Sequence, residues 1–182
     1  MLRARALLLV VFLSAPAVAA PVLRVAVDAS EAPRHILHTR VTIPARPGPL
    51  TLLYPKWIPG EHGPTGPIGG MAGLRITAGG RPLPWRRDPE DLFAFQVEVP
   101  AGATEVEASF DHTSAPGGNF SASGTGSALL AVISWNQLVL YPKGAQARTL
   151  MMARLAIRNR NVEKGLSPRF IVLRSNASSS PF

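Results

Sequence analysis

The chain has 182 residues, no cysteine, 46% apolar residues and a formal net charge of +8. That length supports one domain with a real core, and the missing thiols exclude a disulfide framework, thiol catalysis and thiolate zinc sites. The charge does not indicate a nucleic-acid partner. Residues 1–19 hold two arginines and no acid, residues 20–144 hold ten basic and ten acidic side chains, and residues 145–182 hold seven basic side chains against Glu163 alone. The basicity belongs to the two ends, and the body has no basic footprint.

The first stretch reads as a secretory signal peptide, residues 1–19. Arg3 and Arg5 form a basic start, Ala6 to Leu13 an apolar run, and Ala17-Val18-Ala19 a small-residue cleavage pattern. No later run reaches the roughly 18 apolar residues a membrane helix needs, so no membrane contact is expected once the signal is cleaved. A composition rich in Arg, Ala, Gly and Pro suits a GC-rich bacterial gene, and with the signal it points to an exported protein, periplasmic or secreted.

The body, residues 20–144, alternates as strands. Over 22–29, Leu23, Val25 and Val27 share one face. Over 35–44, Leu37, Val41 and Ile43 oppose His38 and Arg40. Over 92–99, Phe93, Phe95, Val97 and Val99 oppose Gln96 and Glu98; over 104–111, Val106, Ala108 and Phe110 oppose Glu105, Glu107 and Asp111. The short "PAGA" between the last two suggests a hairpin and antiparallel pairing. Two apolar runs around Asn136, "SALLAVISW" and "QLVLYP", read as buried strands or one bent strand. Residues 114–127 form a Gly/Ser-rich loop, which lacks groups to pack or stiffen it. No segment keeps a helical period, so the expected fold is an all-β antiparallel sandwich with an irregular C-terminal tail. Leu37, Val41, Phe93, Phe95, Val106, Phe110 and Leu140 are its expected core.

Candidate chemistry is thin. His35 and His38 lie three apart on an expected strand, so they point to opposite faces and cannot share an ion. His112 beside Asp111 reads as a surface pair. No catalytic residue and no metal ligand is assigned. The loop "YPKWIPGEHGPTGPIGG", residues 54–70, is the remaining candidate: its prolines and glycines fix the backbone and present side chains with little ordering entropy left to lose. Trp57, Pro59, Gly60, Glu61 and His62 are its candidate substrate-facing or interface-facing residues, with Trp57 as an apolar anchor.

"LTLLYPKWIPGEHGPTGPI", "MAGLRITAGGRPLPWRRDPEDLFAFQVEVPAG" and "LLAVISWNQLVLYPKG" together resemble the N-terminal domain of the M61 metallopeptidases, the glycyl aminopeptidase-like enzymes. Trp57, Pro59 and Gly60 match a Trp-x-Pro-Gly motif. Gly73, Leu74, Ala78, Gly80 and Leu83 match a hairpin motif, and Trp85, Arg87 and Asp88 a turn motif. The resemblance covers about residues 23–144. It implies a β-rich, non-catalytic module beside a zinc domain that carries His-Glu-x-x-His, often followed by a PDZ-like domain. The zinc motif does not occur in this chain, so zinc is expected in the full-length family and no cofactor here.

After Gly144 the pattern changes. Residues 145–182 form a basic tail that departs from the family's continuation, and the expectation is a frameshifted or truncated remnant; a genuine tail for polyanions is the alternative. The reading of the whole is a non-catalytic N-terminal domain of an exported M61-like aminopeptidase lacking its peptidase domain, with a peptidase catalytic domain or a peptide substrate as partner. The alternative is a free-standing secreted module that binds a peptide by strand addition.

Overall fold

The structure, a computed structural model, describes residues 22–58, 62–113, 125–126, 130–145, 151–156 and 169–173. The signal peptide, most of the 114–127 loop, and Pro59, Gly60 and Glu61 lie outside the described residues. The strands are β1 (Leu23–Asp28), β2 (Ile36–Pro44), β3 (Gly48–Leu53), β4 (Met71–Ala78), β5 (Arg81–Leu83), β6 (Trp85–Arg87) and β7 (Ala94–Val99). They continue with β8 (Glu105–Thr113), β9 (Thr125–Gly126), β10 (Leu130–Ser134), β11 (Tyr141–Pro142), β12 (Met151–Ala156) and β13 (Arg169–Leu173). Helix is confined, among the described residues, to single turns at Ala32–Arg34, Ile68–Gly70 and Trp135–Gln137.

A six-stranded sheet runs β12-β1-β2-β8-β4-β5, a four-stranded sheet β11-β3-β7-β6, and a three-stranded sheet β13-β10-β9. The all-β, mainly antiparallel architecture is as the alternating pattern indicates; the parallel pairs are β1 with β12 and β10 with β13. Part of the segment expected to be irregular is therefore regular: Met151–Ala156 pairs with β1 over its whole length. The run "MMARLA" has no turn residue to interrupt it, and it covers the otherwise open edge of β1. Thr125–Gly126, expected within a loop, pairs with β10.

The connection between β7 and β8 corrects the expected hairpin. β7 pairs with β3 and β6 in the four-stranded sheet, whereas β8 pairs with β2 and β4 in the six-stranded one. Gly102 at φ 81° and an Ala103 N–H bonded to the Pro100 carbonyl at 3.2 Å turn the chain across the core instead of back along it. Beside it, Ala45–Pro47 carries the chain from β2 to β3 across the same gap, and Ala45 N–H donates to the Thr104 carbonyl at 2.9 Å. The two crossings travel together as one ribbon that changes sheet.

Between the sheets lies a single apolar cluster. Val25, Val27, Val41, Ile43, Ile76, Val106 and Ala108 come from the large sheet; Leu52, Phe95, Val97 and Val99 come from the small one. Each such aliphatic or aromatic side chain contributes roughly 1.5–3 kcal/mol on burial. Six of the seven expected core residues are buried; Phe93 is only partly so, because β7 begins one residue after it. The "QLVLYP" run is mostly not a strand. Trp135–Gln137 forms a tight turn after β10, and only Tyr141–Pro142 resumes pairing, against β3.

Candidate functional site

Three places gather polar chemistry. The first is the solvent-facing side of the six-stranded sheet, where β1, β2 and β8 bring Asp28, His38 and Asp111 into one cross-strand row. His38 Nδ1 is 2.7 Å from Asp111 Oδ1, and its Nε2 faces Glu31 Oε2 at 3.8 Å. The hydrogen bond to Asp111 raises the His38 pKa above its ordinary 6.5, against a desolvation effect that lowers it; the charges of Asp111, Glu31 and Asp28 add to the rise. His35 is not on the strand at all: it precedes β2 in a left-handed conformation at φ 61°. No three His, Asp or Glu side chains among the described residues stand where they could hold one ion. The zinc that the family resemblance implies therefore does not fit this part of the chain, and no step is derived through it.

The second place is interior. His112, expected in a surface pair with Asp111, is only 2% exposed. Its ring continues the inward row of Val106, Ala108 and Phe110, and Asp111 faces outward to His38 instead. Burial pushes the His112 pKa down to about 4, partly offset by a hydrogen bond with the Gln137 side chain. Nδ1 of His112 has no hydrogen-bond partner. Gly70 packs against the ring so closely that a Cβ there would sit 2.9 Å from Cε1. Tyr54 donates its hydroxyl to the Gln137 carbonyl at 3.0 Å, and burial raises its pKa. His112, Gln137 and Tyr54 thus form a neutral polar knot in the core, whose role is to hold the Trp135–Gln137 turn and the end of the 54–70 loop together.

The third is that loop. It folds back on itself: the Gly66 N–H donates to the Lys56 carbonyl at 2.9 Å, and a Cβ on Gly66 would collide with the Pro55 carbonyl. Ile58 is buried, whereas Trp57 is 64% exposed. His62 is exposed, and among the described residues it belongs to no group of three side chains that could hold a metal ion. Beside the loop, Lys56 Nζ lies 3.5 Å from Asp91 and 5.5 Å from the centre of the Phe93 ring, and Tyr54 N–H bonds to the Phe93 carbonyl. This places the stretch 54–57 alongside 91–93, where Leu92 is 58% exposed.

The matched motif residues are structural in their geometry. Gly79 and Gly80, at φ 54° and 77°, make the two-residue turn between β4 and β5. Asp88 closes the β6–β7 turn: its Oδ1 accepts the N–H groups of Glu90 and Asp91 and its Oδ2 accepts from Gln96. These bonds, the one from Glu90 first, hold its pKa below the ordinary value. Trp85 meets Phe95 edge-on at 5.5 Å, and the Arg87 guanidinium lies 5.2 Å from the centre of the same ring.

The family model of the peptidase M61 N-terminal domain matches residues 24–167, which extends past Gly144 and takes in β12. No curated protein matches the chain. Among solved structures, an aminopeptidase N family protein from Idiomarina loihiensis is similar at a TM-score of 0.62 and 16% identity. The alignment covers 74% of this chain and 22% of that one, so the chain spans about a fifth of its length, and at that identity the likeness concerns the fold alone. The crossing ribbon, the Gly79–Gly80 hairpin and the Trp85–Asp88 turn all fall inside the matched range, and the chain belongs to the peptidase M61 N-terminal domain family.

Proposed function

We propose that the chain serves as the non-catalytic N-terminal module of an exported M61-type aminopeptidase. Its part is to dock on a zinc peptidase domain rather than to carry out the chemistry. The observation that carries this is the pair of exposed apolar side chains, Trp57 and Leu92, on two loops tied side by side at one end of the sandwich. Large apolar groups exposed together mark contact surfaces, and an indole gives a flat, amphipathic contact of the kind enriched at interface centres. Export rests on the signal pattern of residues 1–19.

Adding a separately produced M61-type zinc peptidase domain to the purified chain tests the docking. A complex should form, and Trp57→Ala should weaken it by about 2 kcal/mol, the scale of an interfacial aromatic hot spot. A complex indifferent to both Trp57→Ala and Leu92→Ala would place the contact elsewhere. Fractionation of the producing cell tests export, and retention of the chain with residues 1–19 attached in the cytoplasm would contradict it.

A further inference from the structure

The solvent-facing side of the six-stranded sheet carries a groove of about 490 Å3 that the docking surface does not use. Strand register sorts its residues into two neighbouring rows. Asp28, His38, Asp111 and Ala72 make the first; Ala26, Arg40, Ser109 and Arg75 make the second. Two strand residues separate the rows, about 7 Å. Charge follows the same division. Asp28, Asp111 and the nearby Glu31 surround a single histidine in the first row, so two negative charges remain even with His38 protonated. In the second row Arg40 and Arg75 flank the small Ser109.

The hollow has an identifiable cause. β4 slips in register against β8 between Ala72 and Arg75, and Gly73 occupies the slip at φ 64°. Nothing stands within 4 Å of where a Gly73 Cβ would be, so the bulge leaves open space beside Asp111 and Ser109. Elsewhere on this face Arg24 reaches Glu105 at 2.9 Å, and within the hollow Arg40 Nε faces Glu107 at 3.4 Å. Arg75 alone lines the hollow without a carboxylate partner among the described residues. Among the groove's two arginines, Arg75 is thus the one left free to take an anion from solution.

We propose that this groove binds a small linear zwitterion whose ammonium and carboxylate lie about 7 Å apart. The ammonium sits on Asp28 and Asp111; the carboxylate takes charge-assisted hydrogen bonds from Arg75 and from the terminal nitrogens of Arg40, whose Nε faces Glu107, with the Ser109 hydroxyl as a further donor. An ω-amino acid of the right length meets this requirement, and so does a dipeptide, whose span is two residues of extended chain. The site is independent of the peptidase-docking reading, since its lining includes neither Trp57 nor Leu92.

The test follows amide signals of the intact chain by NMR during titration with ε-aminocaproate, alanylalanine, the shorter γ-aminobutyrate, and the singly charged caproate and hexylamine. The expected result is saturable shifts at Gly73, Arg75 and Ser109 with ε-aminocaproate, alanylalanine or both. Which of the two binds separates the ω-amino acid source from the peptide source. γ-Aminobutyrate, caproate and hexylamine should bind about twofold to fivefold more weakly, the weight of one exposed charge contact. Arg75→Gln and Asp111→Asn should each reduce the zwitterion to that weaker level, while Arg24→Gln, outside the groove, leaves it unchanged. Equal affinity for zwitterionic and singly charged ligands, or no saturable shift with either zwitterion, overturns the proposal.

Discussion

His112 makes the stability of this fold depend on pH in a direction that can be worked out. The ring is buried and neutral, with its pKa pushed down to about 4 from 6.5. In the unfolded chain the ring protonates near 6.5, while the folded core refuses the proton until far lower, so acidification favours unfolding. The sign is that of a group with a depressed folded pKa: its stabilising effect is complete above 6.5 and is lost as pH falls towards 4. At 1.36 kcal/mol per unit, the full span amounts to about 3 kcal/mol. Between about pH 7.5 and about pH 5 the loss is about 2 kcal/mol, because the folded ring is still nearly all neutral at the lower value. His38 acts oppositely and weakly. Its raised pKa contributes stability below 6.5 that is lost as pH rises, and the half-exposed pair is worth under about 1 kcal/mol. Urea unfolding at the two pH values, for the native chain and for His112→Gln, isolates the buried ring, since every other titration is shared. The native chain should lose about 2 kcal/mol more than the variant over that interval. Equal losses would mean that His112 is solvated and that the knot with Gln137 and Tyr54 does not form.

Three further outcomes are expected. Phe95→Ala, at the centre of the sandwich with Trp85 and Arg87 against its ring, should cost about 3–5 kcal/mol in urea unfolding; a cost below about 1 kcal/mol would contradict its burial. Gly66→Ala should abolish the slow hydrogen exchange of the residue 66 amide, because the Pro55 carbonyl occupies the space of the new Cβ and the bond to Lys56 must open. Retained protection would show that the loop does not close that way. The His38 ring should titrate above 6.5 by NMR and return towards it in Asp111→Asn; an unchanged midpoint in the variant would assign the shift to something other than Asp111.

Strands that bury one face announced themselves in sequence, because period-two alternation is what burial against a second layer demands. Leu23, Val25, Val27, Val106, Ala108 and Phe110 are read correctly on that ground. Carrying the last of these series one step further would have put His112 inward, so the signal for the polar knot was present and stopped one residue short. The β7–β8 connection was not legible, since a four-residue link serves a hairpin and a sheet crossing equally well. What decides between them is the neighbouring crossing of β2 to β3, a long-range fact. β3 itself starts on Gly48 and Pro49, residues that locally signal a turn. The His38–Asp111 pair and the groove beside it were invisible for the same reason: 73 positions separate the partners, and only strand register joins them.

The central proposal is that this chain, a member of the M61 N-terminal domain family, acts without peptidase chemistry of its own. Zinc analysis of the purified chain together with a chromogenic aminopeptidase assay on glycyl and alanyl substrates tests it most directly. A hydrolytic zinc site needs three protein ligands on a fixed frame and a carboxylate to manage the proton of the bound water, and no three such side chains converge among the described residues. The account predicts no stoichiometric zinc and no release of amino acid above background. One equivalent of bound zinc, with turnover that a chelator abolishes, would contradict it.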